Sequence, residues 1–146
     1  MITHKATVTI NKPTSDVFKF VATDYFTNHP KWDPRVVELH VDSTGPVAVG
    51  TRGREVRKQG GRNNTYAFEV TDFQANKSMA FKATSGGANF SFSYAFKTIN
   101  DKQTQLDIAL NLRMGGVMRL FEPLMVGSFK KEADTTISTI KSMVEK

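Results

Sequence analysis

The chain has 146 residues, of which 39% are hydrophobic and 23% charged, and it carries a net charge of +6. This length suits one domain, and the composition is that of a globular protein and not a disordered one. Cysteine is absent, which excludes disulfides, thiolate catalysis and cysteine metal sites. The N-terminus has no apolar leader, and no segment approaches the ~20 apolar residues of a membrane span. We therefore expect a single cytoplasmic domain over residues 1–146, without membrane insertion.

The beginning of the chain predicts one strand followed by two short helices. Residues 3–11 alternate between polar and apolar side chains, which is the pattern of a strand with one buried face. An apolar helical stripe then extends to about residue 22, and a second short helix or turn covers residues 25–29. We expect this second segment to end near Pro30, because the residue before a proline resists the helical conformation.

The middle of the chain, up to Met114, alternates between predicted strands and turns. Strand patterns occur near residues 36–41, 49–58, 66–70, 79–83, 90–96 and 106–112. Short connections such as these, including one at Gly86-Gly87, favour an antiparallel meander over a parallel sheet.

The last segment changes to a helical period after Gly115-Gly116. Apolar residues that share one face of this predicted helix are Phe129, Ala133, Ile137, Ile140 and Val144. Pro123 either kinks the helix or marks the start of its straight part. A strongly twisted sheet of six or seven strands curls, so we expect an α+β fold whose concave sheet closes around this long helix. The space between sheet and helix is then apolar, and either open or filled by side chains.

Six short segments, taken together and in order, resemble the START-like superfamily, also called SRPBCC, and its polyketide cyclase/dehydrase and lipid-transport branch. They are Asn-Lys-Pro-Thr-Ser-Asp-Val-Phe at 11–18, Pro-Lys-Trp-Asp-Pro at 30–34, Gly-Pro-Val-Ala-Val-Gly-Thr at 45–51, Glu-Val-Thr-Asp-Phe at 69–73, Leu-Arg-Met-Gly-Gly at 112–116 and Leu-Phe-Glu-Pro-Leu at 120–124. The resemblance implies the helix-grip fold and a hydrophobic pocket. It does not select one reaction, because relatives include lipid carriers, hormone receptors, quinone-binding proteins and aromatase/cyclases.

The predicted inner faces supply the candidate ligand contacts. These residues are Trp32, Tyr66, Phe68, Phe81, Phe90, Phe92, Tyr94, Phe96, Leu110, Leu112, Leu124 and Phe129. For the phenylalanines, core packing is an equally good interpretation, and Trp32 closes either the cavity mouth or one end of the core.

Tyr94 and Tyr66 are the catalytic candidates, although the catalytic residues remain unassigned. Each lies on an otherwise apolar strand face, so its hydroxyl needs a protein group, water or ligand as partner. A phenol there can orient a carbonyl or act as a general acid. The three histidines are scattered, so we predict no metal site and no cofactor. We also expect no acid–base pair on the inner face.

Three functions follow from these features. The first is binding of a small hydrophobic or amphipathic ligand such as a lipid, isoprenoid or polyketide, and the second is aromatase/cyclase or dehydrase chemistry in the same pocket. The third is a basic interaction module that uses the basic hairpin of Arg52, Arg54, Arg57, Lys58 and Arg62. Because no aromatic residues are interleaved with these charges, we expect weak contact with anionic surfaces and no specific nucleic-acid binding. The oligomeric state stays open.

Overall fold

The computed structural model describes residues 2–85 and 88–146. Within these ranges the strands are β1 (Ile2–Ile10), β2 (Val36–Val41), β3 (Arg52–Gln59), β4 (Arg62–Gln74), β5 (Ser78–Ala83), β6 (Ala88–Asn100) and β7 (Gln103–Met114). The helices are α1 (Thr14–Phe18), α2 (Tyr25–Trp32) and α3 (Glu122–Val144). A π-helical turn (Lys19–Thr23) joins α1 to α2, and a 3₁₀ helix (Gly116–Phe121) precedes α3.

The strands form one curved antiparallel sheet in the order β1-β7-β6-β5-β4-β3-β2. Strands β2 to β7 pair in chain order, each with its neighbour in sequence, so the predicted meander is confirmed. The first strand pairs with β7 at the sheet edge, and α3 packs on these same two strands. This is the expected helix-grip arrangement. The turn predicted at Gly86-Gly87 lies outside the described residues.

The second helix continues past the proline at which we expected it to end. Pro30 lies inside α2, and the backbone N–H of Asp33 still donates to the carbonyl of His29 at 3.1 Å. Tyr25, His29 and Trp32 occupy one buried face of this helix at spacings of four and three residues. The prediction was wrong because the free energy gained by burying this face outweighs the loss of the one backbone hydrogen bond that Pro30 cannot donate.

Helix α3 grips the sheet with its second half only. Pro123 is in the first turn, where a missing N–H has no cost, so it marks the start of the helix. Ile137 and Ile140 are buried, whereas Leu124 is 78% exposed. The expectation that Leu124 lines the interior is therefore wrong, because its side chain is exposed to solvent.

Gly53 allows β3 to pass beneath two aromatic rings. A Cβ added there would lie 2.6 Å from Cζ of Phe68 and 2.7 Å from Cε1 of Phe26. Those two rings are stacked on each other, with centroids 5.9 Å apart, so neither moves without disturbing the other.

Replacement of Gly53 by alanine is therefore expected to lower the free energy of unfolding by about 1–3 kcal/mol through overpacking. Urea denaturation measures this loss. Gly127→Ala is the matched control, because no atom lies within 4 Å of its added Cβ and alanine favours a helix over glycine. An equal loss in both variants would contradict the explanation.

Candidate ligand site

An aromatic row on β6 follows the concave face of the sheet from a closed end to an open end. The row consists of Phe90, Phe92, Tyr94 and Phe96. At the closed end the ring of Phe96 packs edge-on against Phe18, with centroids 5.1 Å apart. Tyr94 is 1% exposed, whereas Phe92 and Phe90 are only half-buried. The row therefore becomes accessible towards Phe90.

Neighbouring strands extend the aromatic row sideways. Phe81 on β5 stacks on Phe92 with centroids 5.6 Å apart, and it also contacts Phe68 on β4 at 5.4 Å. On the other side, Leu110 and Leu112 of β7 pair with residues of the row and are buried. The structure thus brings these predicted ligand contacts together on one face.

Tyr25 connects this apolar wall to a group of polar residues. Its ring lies 5.7 Å from Phe81 and 6.5 Å from Tyr94, measured between centroids. The same ring stacks on His29 at 4.7 Å with an interplanar angle of 12°. Tyr25 was not among the predicted site residues, although its spacing to His29 places both on one helical face.

Six residues beyond Tyr25 form a continuous chain of hydrogen bonds, here called the charged cluster. Its members, in order of contact, are His29, Glu55, Arg57, Asp33, Arg35 and Glu132. Nε2 of His29 lies 3.1 Å from Oε2 of Glu55. Arg57 donates to Oε1 of Glu55 at 3.0 Å and to Oδ2 of Asp33 at 2.8 Å.

Arg35 completes the charged cluster at its exposed end. Its Nε donates to Oδ1 of Asp33 at 3.1 Å, and its Nη1 pairs with Glu132 on α3. The cluster therefore joins α2, β3 and α3, which are separate in sequence. Our expectation that the inner face lacks an acid–base pair is wrong, because His29 and Glu55 form one there.

The arginines keep the buried carboxylates ionised. Burial raises the pKa of Asp33, but the neighbouring charges and hydrogen bonds of Arg57 and Arg35 outweigh it and lower the pKa overall. Burial likewise opposes ionisation of Glu55, but the hydrogen bonds from His29 and Arg57 and the positive charge of Arg57 lower its pKa overall. The same attraction works on Arg57, whose pKa is raised although burial disfavours its charge.

The charged cluster is expected to make the fold sensitive to acid. Because the pKa of Asp33 and that of Glu55 are lower in the folded state, the folded state binds fewer protons, and stability falls as pH falls through these values. We expect the free energy of unfolding, measured with urea, to decrease below about pH 4. The decrease should be smaller in Asp33→Asn; equal pH profiles for the two proteins would contradict this assignment.

Both buried tyrosines at the junction remain protonated phenols. Burial raises the pKa of Tyr94, and the negative charges of Glu55 and Asp33 raise it further. Burial also raises the pKa of Tyr25, with added contributions from Tyr94 and Glu55. A phenol with a raised pKa keeps its proton, so it can donate a hydrogen bond but is a weak acid.

Trp32 and part of the charged cluster line a cleft of ≈ 360 Å³ at the surface. The cleft is bounded by the end of α2 on one side and by α3 on the other, and Asp33, Arg35 and Glu132 belong to its wall. Trp32 itself is 2% exposed. A larger surface depression of ≈ 890 Å³ is lined by one side of α3 and by Lys146, which follows the helix. No second element among the described residues encloses it.

The remaining predicted contacts lie at the margins of this site. Tyr66 is half-buried and pairs with Glu55 across β3 and β4, so it shares the inner side of the sheet. Phe129 is half-buried on the first half of α3.

The basic hairpin is divided between the two faces of β3. Arg57 faces inward into the charged cluster, which corrects its assignment to an anionic contact surface. Arg52, Lys58 and Arg62 are exposed, and exposed Arg54 pairs with Asp42 at 2.9 Å. Alternate residues of a strand face the same side, so Glu55 and Arg57 share one face of β3 and exposed Arg52, Arg54 and Lys58 share the other. The sequence analysis missed this alternation.

The chain belongs to the family described as "Polyketide cyclase / dehydrase and lipid transport", whose model matches residues 1–145. Among solved structures it is similar to the Zhui aromatase/cyclase from Streptomyces sp. R1128, with 15% identity, coverage of 98% and 93% of the two chains, and a TM-score of 0.80. It is also similar to a START superfamily protein from Mycobacterium smegmatis, with 13% identity, coverage of 98% and 97%, and a TM-score of 0.80.

A third similar structure is TTHA0849 from Thermus thermophilus, with 14% identity, coverage of 97% and 96%, and a TM-score of 0.79. Identities this low establish the START-like fold and nothing finer. No curated protein matches the sequence. Within the described ranges, no helix combines the length and apolar character that crossing a bilayer requires.

Proposed function

We propose that the protein binds a small apolar or amphipathic molecule, of the lipid, isoprenoid or polyketide kind, against the concave face of its sheet. The observation that carries this proposal is the gradient along the aromatic row, from buried Tyr94 to half-buried Phe92 and Phe90. Half-exposed aromatic surface next to a packed core is where an apolar ligand gains most from leaving water. The family description, which includes lipid transport, supports the same conclusion.

In this proposal the apolar body of the ligand contacts Phe90, Phe92 and Phe81. Its polar end is oriented by Tyr94, whose phenol is protonated and can donate a hydrogen bond. The deeper predicted contacts, Phe68 and Phe96, hold the wall in place through their ring contacts.

Titration with the uncharged fluorescent probe N-phenyl-1-naphthylamine tests the proposal. We expect saturable binding to the wild-type protein and clearly weaker binding to Phe92→Ala. Ile99→Ala is the matched control, because Ile99 is an exposed apolar residue on the same strand, outside the row. No saturable binding to the wild type, or equal loss in both variants, would refute the proposal. Native mass spectrometry of freshly purified protein can then identify a bound ligand.

A second candidate function is aromatase/cyclase or dehydrase catalysis in the same site. The observation that favours it is the hydrogen-bonded pair of His29 and Glu55 beside Tyr25, because a carboxylate that orients an imidazole is a common arrangement for a general base. The basic-module alternative loses support, since Arg57 is engaged inside the protein and Arg54 is paired with Asp42.

Tyr94→Phe distinguishes binding from catalysis through one oxygen atom. We expect ligand affinity to fall by about 0.5–1.5 kcal/mol, the net contribution of one neutral hydrogen bond. If Tyr94 instead transferred a proton, turnover would drop by roughly 10²–10⁴-fold with little change in affinity. The raised pKa of Tyr94 favours the first result. Calorimetric titration and a turnover assay on the co-purified ligand measure both, with Tyr66→Phe for comparison; unchanged affinity and turnover would remove Tyr94 from the site.

A further inference from the structure

Two polar atoms are buried at the polar end of the site without a hydrogen-bond partner among the described residues. They are Nδ1 of His29 and Nε1 of Trp32. The two side chains belong to adjacent turns of α2, and their rings lie 5.3 Å apart between centroids at an interplanar angle of 67°. Burying a polar atom unpaired is unfavourable, and native proteins rarely leave one so. Two such atoms on neighbouring rings indicate a place for a third group.

The hydrogen-bonding role of each atom is determined by its surroundings. The indole nitrogen of Trp32 can only donate. The other nitrogen of His29, Nε2, faces Oε2 of Glu55, and the second oxygen of that carboxylate accepts from Arg57. An ionised carboxylate can only accept, so Nε2 carries a proton, and in the neutral imidazole on which the proposal depends Nδ1 is then an acceptor. The pair thus offers one donor and one acceptor.

We propose that Nδ1 of His29 and Nε1 of Trp32 form a subsite for one hydroxyl group of the ligand. The hydroxyl donates to His29 and accepts from Trp32. Ether and ketone oxygens only accept and an ammonium group only donates, so neither satisfies both atoms. The ligand is therefore an alcohol, a phenol or an enol. This inference rests on the proposed binding function and adds the polar group that the ligand carries.

The position of the subsite agrees with an amphipathic ligand. Tyr25 stacks on His29 and also contacts Tyr94 in the aromatic row, so the subsite adjoins the wall proposed for the apolar body. Trp32 also borders the ≈ 360 Å³ cleft beside α3, which brings the subsite close to solvent. A ligand of this class would lie with its apolar part on β5 and β6 and its hydroxyl towards α2.

Three probes with the same apolar body test the subsite: 2-naphthol, 2-methoxynaphthalene and naphthalene. The methoxy compound keeps the oxygen but cannot donate. We expect 2-naphthol to bind the wild-type protein up to about tenfold more tightly than 2-methoxynaphthalene, which is the contribution of the one hydrogen bond that the methoxy compound cannot donate. In His29→Phe this preference should fall to near unity, because the acceptor is lost. In Trp32→Phe both oxygen-bearing probes should lose affinity relative to naphthalene, because each oxygen can accept from the indole, and the preference should remain.

Nitrogen-15 spectra of the wild-type protein provide a measurement that needs no substitution. The chain has a single tryptophan, so its indole N–H signal is unique. We expect His29 to carry its proton on Nε2, and we expect 2-naphthol, but not 2-methoxynaphthalene, to shift both Nδ1 and the indole signal. An imidazole protonated on both nitrogens would overturn the proposal, because two donors would select an anion.

The outcomes separate this inference from the function on which it rests. If all three probes bind with equal affinity, the hydroxyl subsite is refuted and the binding function stands. If none of them binds, the proposed binding function is refuted, and the subsite with it. A preference for 2-naphthol that persists in His29→Phe would also overturn the subsite, because the hydroxyl would then be recognised elsewhere.

Discussion

Replacing Arg57 by methionine is expected to lower the free energy of unfolding by about 3–5 kcal/mol, the usual cost of removing one partner from a buried ionic pair. The side chain of Arg57 is 14% exposed, and its guanidinium bonds two carboxylates, Glu55 and Asp33, which are themselves mostly buried. Methionine preserves much of the side-chain volume, so the change removes charge more than packing. What remains is two buried negative charges without the cation between them.

Thermal and urea unfolding of the two proteins measure this loss. For a domain of about 150 residues each kcal/mol corresponds to roughly 2–4 °C in Tm, so the expected change is readily observed. Arg54→Met is the matched control, because Arg54 lies on the same strand but faces solvent and pairs with exposed Asp42. It should leave stability nearly unchanged, as exposed ion pairs contribute little. Similar stability of the Arg57 variant and the wild type would show that the charged cluster is not structural.

The second large effect is expected from Ile140 on α3, where alanine should cost about 2–5 kcal/mol through a buried cavity. Ile140 is fully buried, and with Ile137 and Ala133 it forms the stripe by which the helix grips the sheet. Leu124→Ala is the control on the same helix. Leu124 is 78% exposed, so its truncation should change stability by no more than about 0.5 kcal/mol.

Urea denaturation of both variants tests whether α3 is held to the sheet through the stripe of Ala133, Ile137 and Ile140. Comparable losses from Ile140→Ala and Leu124→Ala would mean that the first half of the helix also packs against the fold in solution. Leu124 is one of several exposed apolar residues at the start of α3 and on the 3₁₀ helix before it; the others are Val117, Met118, Leu120 and Phe121.

Much of the fold could be predicted because the signals are local. Alternation along β6 and β7 follows from the geometry of a strand, and it placed Phe92 and Leu110 on the same face before any contact was known. The helical period of Ala133, Ile137 and Ile140 is equally local. For Pro123 the sequence allowed either a kink or a helix start, and the structure shows the start. These features depend on neighbours within a few positions.

The errors arose where distant elements meet. Leu124 continues the apolar pattern of α3, but a pattern cannot tell whether another surface covers it. A proline usually ends a helix, yet the burial of Tyr25 and Trp32 keeps α2 intact beyond Pro30. Arg57 was grouped with its exposed neighbours by charge, when its parity on β3 directs it inward.

The sequence by itself determined the antiparallel meander, the long final helix and the aromatic faces, because each depends on the backbone period of a single segment. Only the tertiary structure decided that His29 from α2, Glu55 and Arg57 from β3 and Glu132 from α3 meet in one charged cluster. Ionic contacts between segments so far apart depend on how the elements pack, and that packing leaves no period in the sequence. The polar end of the candidate site was for this reason visible only in the folded chain.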